Sequence, residues 1–164
     1  MPTGALMTEL DLPALPPLLL QNIDMFVCPV CNSALRVSHR GTTLECTLRR
    51  HSFKVEGGVP LMFLPNEWDA KADVTATVQS FYDAQPFPNY DDLDSENSLR
   101  EKAERGVLAR LLNDQIAPRS KVLEVGCGTG QLSNYLGLKW GRSVFGCDLS
   151  LNALRLASEL KNKE

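Results

Sequence analysis

The stretch Val122-Leu-Glu-Val-Gly-Cys-Gly-Thr-Gly130 constrains this chain more than any other. Its apolar half reads as a buried strand that runs directly into a turn with glycines at alternate positions, Gly126, Gly128 and Gly130. Glycine takes positive φ without steric cost and lets a ligand approach main-chain atoms. Thr129 to Leu138 then reads as a helix with Leu132, Tyr135 and Leu136 inward and Gly141 as its C-terminal cap. Ser143 to Cys147 is a second apolar strand, ending on Asp148. Ser150 can N-cap a last helix in which Leu151, Leu154, Ala157 and Leu160 recur at helical spacing. Strand, helix, strand, helix in that order implies an α/β fold with a right-handed parallel crossover.

Ligands of such units bind at the carboxyl ends of the strands. A carboxylate at Asp148 can accept hydrogen bonds from both hydroxyls of a ribose, each charged bond contributing about 1.5–3 kcal/mol. That points to an adenosine-type cofactor but serves NAD and S-adenosylmethionine equally. The turn separates the two. Dinucleotide folds use Gly-x-Gly-x-x-Gly, where a helix N-terminus meets a pyrophosphate. Here the spacing is Gly-x-Gly-x-Gly and an acid, Glu124, precedes it. S-adenosylmethionine has no phosphate, and its sulfonium and amino group favour a nearby carboxylate.

Val-Leu-Glu-Val-Gly-Cys-Gly-Thr-Gly followed by Val-Phe-Gly-Cys-Asp-Leu-Ser resembles the class I S-adenosylmethionine-dependent methyltransferases, closely over residues 121–157. The resemblance implies a Rossmann-like core. It implies that Gly126, Gly128 and Gly130 line the methionine–ribose part of the cofactor, Glu124 neighbours its amino end, Asp148 holds the ribose and Leu149 flanks the adenine. Cys127 lies among these cofactor-contacting positions. It and Cys147 read as small buried thiols, with no neighbouring His or Lys to activate them.

A second chemistry sits upstream. Phe26-Val-Cys28-Pro-Val-Cys31 is a short strand entering a Cys-x2-Cys turn. Leu35–Val37 and Thr42–Cys46 pair as a hairpin, and Phe53–Val55 and Val59–Leu64 add short strands around a Gly57-Gly58 turn. About 40 residues of this kind lack a core and usually need a staple. Cys28, Cys31, Cys46 and His51 have spacings close to those of a structural zinc site. Zinc binding of about 10–16 kcal/mol would supply most of the folding free energy. His39, in the hairpin turn, is read as solvated. The segment resembles the zinc ribbons of ribosomal RNA guanine-N1 methyltransferases, which implies a role in holding RNA. Arg36, Arg40, Arg49, Arg50 and Lys54 make it locally basic, which suits phosphate contacts or simply a solvated face.

Between the two lies a connection. Ala70 to Ala84 has helical spacing, and Gln85-Pro-Phe-Pro-Asn-Tyr90 breaks it. Phe81, Tyr82, Phe87 and Tyr90 are expected either to form an aromatic lid over the cofactor or to plug a joint between domains. From Leu99 to Ile116 one amphipathic helix is expected, with Leu99, Ala103, Val107, Leu108, Leu111 and Leu112 on its packed face. The domain reading is therefore a flexible Leu/Pro-rich arm at 1–24, expected to pack one or two leucines on a neighbour, a zinc-ribbon-like module at 25–64, a linker that can serve as a lid at 65–97, and the N-terminal part of a methyltransferase domain at 98–164.

Composition excludes extremes. With 43% hydrophobic and 23% charged residues and a formal charge of −3, the 164-residue chain carries no global basic field for nucleic acid. No apolar run approaches membrane-spanning length. No Lys or Arg precedes Arg36 to form a secretory n-region, so a cytoplasmic setting is the expectation. Five cysteines, an odd number, fit metal ligands and thiols rather than a disulfide framework. The family's domain ordinarily continues through further strands, so the chain is expected to be an incomplete fragment that binds cofactor weakly and is inactive alone. The expected function is methyl transfer to an undetermined acceptor, RNA slightly favoured over protein or a small molecule. The alternative is a non-catalytic zinc-ribbon interaction module with a vestigial cofactor fold. The sequence assigns neither a catalytic base nor an oligomeric state.

Overall fold

The computed structural model describes residues 15–38, 41–48, 51–65, 74–89 and 95–161. The chain divides into two compact units, Met1–Asn66 and Glu67–Glu164.

The first unit is a four-stranded antiparallel sheet in the order β1-β2-β3-β4, with β1 Leu35–Val37, β2 Thr43–Cys46, β3 Ser52–Glu56 and β4 Val59–Pro60. Register follows the period-2 pattern of the side chains. In β3, Phe53 and Val55 point inward while Ser52 and Lys54 point out. Val59 to Leu64 was expected to run as one strand, but β4 is only Val59–Pro60, followed by one further main-chain bond from Leu61 N to Lys54 O at 2.8 Å. The segment before Cys28 is tied in by a single bridge, Val27 to Ala34.

The Leu/Pro-rich arm is less detached than its composition suggests. Pro17–Gln21 forms a short helix, α1, with Pro in its first turn, and Ile23–Met25 a 3-10 turn. Leu15 is buried in one core with Cys28, Leu35, Leu44, Cys46 and Phe53, and Leu19 and Ile23 pack against it. So small a sheet covers its inner face by borrowing these leucines.

In the second unit, α2 is Thr75–Ala84, α3 Glu96–Arg105, α4 Val107–Gln115, β5 Lys121–Val125, α5 Gln131–Gly137, β6 Ser143–Cys147 and α6 Leu151–Lys161. β5 and β6 pair in parallel, with Val122 beside Val144, Glu124 beside Gly146 and Val125 beside Cys147. Leu99, Tyr135 and Leu136 form the buried core, joined by Val122, Leu132 and Val144.

The helix expected from Leu99 to Ile116 is two helices. Gly106 adopts an extended conformation (φ −83°, ψ 127°), ending α3 and starting α4. Any residue can adopt that conformation, but glycine is about 1 kcal/mol poorer than alanine inside a helix, which favours the break there. The break also undoes the shared face: Leu99 is buried and Leu112 half-buried, whereas Val107, Leu108 and Leu111 are exposed. Ser95 caps α3 through a reciprocal box with Ser98. Gly141 does not cap α5, which ends at Gly137 with Leu138 as its cap. Trp140 and Gly141 instead form a left-handed pair, φ 68° and 61°, that turns the chain into β6.

Arg142, at the head of β6, is buried. Its Nη1 donates to Asn113 Oδ1 at 2.9 Å, and its Nη2 donates to the carbonyls of Asn113 (2.6 Å) and Ile116 (2.5 Å). A cation at the C-terminus of α4 satisfies carbonyls that the helix leaves open. No helix among the described residues is long and apolar enough to cross a membrane.

Candidate cofactor turn and metal centre

The turn after β5 has the backbone its glycines suggest. Gly126, Gly128 and Gly130 sit at φ 71°, 53° and 70°. The N–H groups of Gly126 and Cys127 both donate to Cys147 O, at 2.8 and 3.0 Å, which ties the turn to the end of β6. A Cβ on Gly126 would meet nothing within 4 Å, leaving open space before its main chain. A Cβ on Gly128 would lie 2.2 Å from Phe87 O, so another chain segment already presses on the turn there.

Asp148 follows β6 and organises both loops. Its Oδ2 accepts from Gly128 N at 2.7 Å and its Oδ1 from Ser150 N at 2.9 Å. A carboxylate has about four acceptor sites, so each oxygen retains capacity for a hydroxyl. Glu124 accepts a hydrogen bond from Ser133 Oγ, one turn into α5. Cys127 is buried between these carboxylates. Burial first, and the charges of Glu124 and Asp148 next, push its thiol up to about 12, so it is neutral at ordinary pH. Leu149 is half-buried, and its carbonyl accepts from Gln79 Nε2 at 3.0 Å. Six of the seven cofactor-turn candidates thus lie just after the carboxyl ends of β5 and β6, and the seventh, Glu124, sits near the end of β5 itself.

Several neighbours of this turn carried no sequence signal. Ser133 on Glu124, Asp83 accepting from Ser150 Oγ at 2.6 Å, and Thr129 donating to Pro88 O are ordinary polar residues whose partners are distant in sequence. The lid residues separate in outcome. Phe87 to Asn89 lies on the glycine turn, and Phe81 and Tyr82 make an edge-to-face pair at 5.3 Å on α2. Tyr90 lies outside the described residues.

In the first unit, Cys28, Cys31, Cys46 and His51 present ligand atoms all within 4.8 Å of one another. Cys31 Sγ and Cys46 Sγ are 3.5 Å apart, and Cys28 Sγ is 3.3 Å from His51 Nδ1. A zinc tetrahedron with sulfur at about 2.3 Å has edges of about 3.8 Å, so the donors are spaced for one ion. The loop closes because Asn32 takes φ 58° after the Cys-x2-Cys turn and Cys46 N donates to His51 O at 2.8 Å. Burial raises the Cys28 thiol, opposed by the N–H groups of Val30 and Cys31 and reinforced by the sulfurs of Cys31 and Cys46. Such a set ionises readily only around a cation. Ser33, buried, places its Oγ 2.8 Å from Cys46 Sγ and 3.1 Å from Cys31 Sγ. It was not anticipated, and only its nearness to Cys31 hints at it.

The basic character of this unit is partly neutralised. Arg36 pairs with Glu45 at 2.9 Å and Lys54 with Glu56 at 2.7 Å, both exposed pairs. His39, Arg40, Arg49 and Arg50 lie outside the described residues.

Residues 122–164 match the family model of a methyltransferase domain. The match begins inside β5 and takes in the glycine turn, β6, Asp148 and α6, so it falls on the part of the chain that builds the candidate site. A search of curated proteins returned no match. The methyltransferase-domain match and a mixed α/β unit with the glycine turn therefore stand together. Beside them stands a small β-rich unit with a Cys3His cluster.

Proposed function

We propose that the second unit is a Rossmann-like S-adenosylmethionine-binding core and that the protein serves methyl transfer. When bound, the cofactor supplies an electrophilic methyl group on its sulfonium. The observation that carries this reading is the joint geometry of the turn and the acid. Gly126 faces open space, and the Asp148 carboxylate is held by Gly128 N and Ser150 N with acceptor capacity left for a ribose. Glu124, steadied by Ser133, offers a second negative group for the cofactor's amino end. The domain match over residues 122–164 supports the same reading. In this account the chain's own residues bind and orient, and positioning supplies much of the rate in such a transfer.

The Cys3His cluster is proposed to hold one structural zinc ion, with four protein ligands and no position for water. Of the methyl acceptors, RNA is favoured narrowly, through the cations of the ribbon. The exposed Arg36 and Lys54 contribute less than their charge suggests because each faces a carboxylate. A reducing, cytoplasmic setting accords with five free cysteines. Photo-crosslinking with radiolabelled S-adenosylmethionine tests the cofactor. Label should reach residues 122–149 and be displaced by S-adenosylhomocysteine but not by NAD; displacement by NAD would refute the assignment.

A further inference from the structure

The chain from Gln79 to Asn89 bridges the two loops that make the ligand end of the parallel pair. At one end, Gln79 Nε2 donates to Leu149 O at 3.0 Å and Ser150 Oγ donates to Asp83 Oδ1 at 2.6 Å. At the other, Gln131 Nε2 donates to Asn89 O at 2.6 Å. Between these, Thr129 makes two bonds to the same strap. Its N–H donates to Phe87 O at 3.3 Å and its Oγ1 to Pro88 O at 2.5 Å.

Thr129 is fully buried, 0% exposed, inside a turn whose neighbour Gly126 is open. A hydroxyl at the start of a helix commonly serves that helix's own N–H groups. This one donates to a carbonyl 41 residues away. Beside it the strap lies so close to the turn that a Cβ on Gly128 would stand 2.2 Å from Phe87 O, an approach that only glycine permits there.

We propose that Thr129 is a positioning residue: it latches the strap Phe87–Asn89 across the glycine turn, making the strap one wall of the cofactor site. The proposal rests on the S-adenosylmethionine reading above. With the latch made, a ligand seated before Gly126 is enclosed on the strap side. With it broken, that side opens to water and the Phe87 carbonyl no longer covers the Thr129 N–H.

The test uses the full chain as wild type, Thr129→Val and Thr129→Ser, with amide exchange by NMR and S-adenosylmethionine affinity by calorimetry. Valine keeps the shape and has no donor, whereas serine keeps the hydroxyl. Thr129→Val should raise exchange at position 129 about tenfold with Val122 and Val144 unchanged, and weaken affinity about fivefold, the size of one hydrogen bond. Thr129→Ser should return both to within about twofold of wild type. Unchanged exchange, a uniform rise across β5 and β6, unaltered or tighter affinity, or failure of serine to rescue would each overturn the latch. A wild type that binds no S-adenosylmethionine would sink the cofactor reading itself. That result is recognisable because Thr129→Val would still alter exchange at position 129.

Discussion

Cys127 shows how the candidate site sets the chemistry of a single side chain. Burial between Glu124 and Asp148 holds its thiol protonated up to about 12. The thiolate is the nucleophile, so iodoacetamide at about pH 8.5 should modify the exposed Cys147 and spare Cys127, read by peptide mass spectrometry. Equal labelling of the two would contradict the burial. The same shift has a stability sign. Below the ordinary thiol value of 9.0 both folded and unfolded chains keep the proton. From there to about 12 only the unfolded chain releases it, so this contribution is lost as pH rises through that window. The glycines make a second prediction. Gly126→Ala and Gly128→Ala each force an L side chain to positive φ, at a cost of about 1–2 kcal/mol. Gly128→Ala also drives a Cβ into Phe87 O. Urea denaturation should show the Gly128 variant less stable than the Gly126 variant by a further 1 kcal/mol or so; equal losses would mean the strap does not press on the turn.

Among elements, the junction of α4 with β6 depends on Arg142. Arg142→Met keeps the stem but leaves the carbonyls of Asn113 and Ile116 without their donor. A loss of about 2–3 kcal/mol in unfolding free energy is expected, and a change within about 0.5 kcal/mol would show the cap to be dispensable. The elements also show what could be read in advance. The parallel pair was legible because apolar strands, a glycine turn and an acid at a strand end are local patterns. The Cys28, Cys31, Cys46 and His51 grouping was legible because metal ligands leave their spacing in the chain. The split at Gly106 was not, since a glycine inside an amphipathic pattern can be tolerated as readily as it can break a helix. The segment Phe87–Asn89 was expected as a lid or a plug through its aromatic ring, whereas the bonds that seat it on the turn were illegible for another reason. They are made to main-chain carbonyls at Phe87, Pro88 and Asn89, and a carbonyl has no sequence signature. That a leucine or two of the arm would pack was expected, but which ones was not, because a proline-rich composition masks the few, such as Leu15, that reach the core of the first unit.

At the scale of the molecule, two units carry two chemistries that can be tested separately. The first has a small core whose buried set includes two of the four proposed metal ligands, Cys28 and Cys46. Purified protein should contain about one equivalent of zinc, and chelation should unfold the first unit while leaving the cooperative transition of the α/β unit in place. Less than a quarter equivalent would refute the metal site. The second unit carries the central claim, that the glycine turn and Asp148 together hold S-adenosylmethionine. Calorimetric titration of the wild type and Asp148→Ala tests it most directly. The account predicts saturable one-to-one binding that Asp148→Ala weakens at least tenfold, the loss expected for charged hydrogen bonds to a ribose. Absence of binding in the wild type, or an affinity untouched by Asp148→Ala, would contradict it.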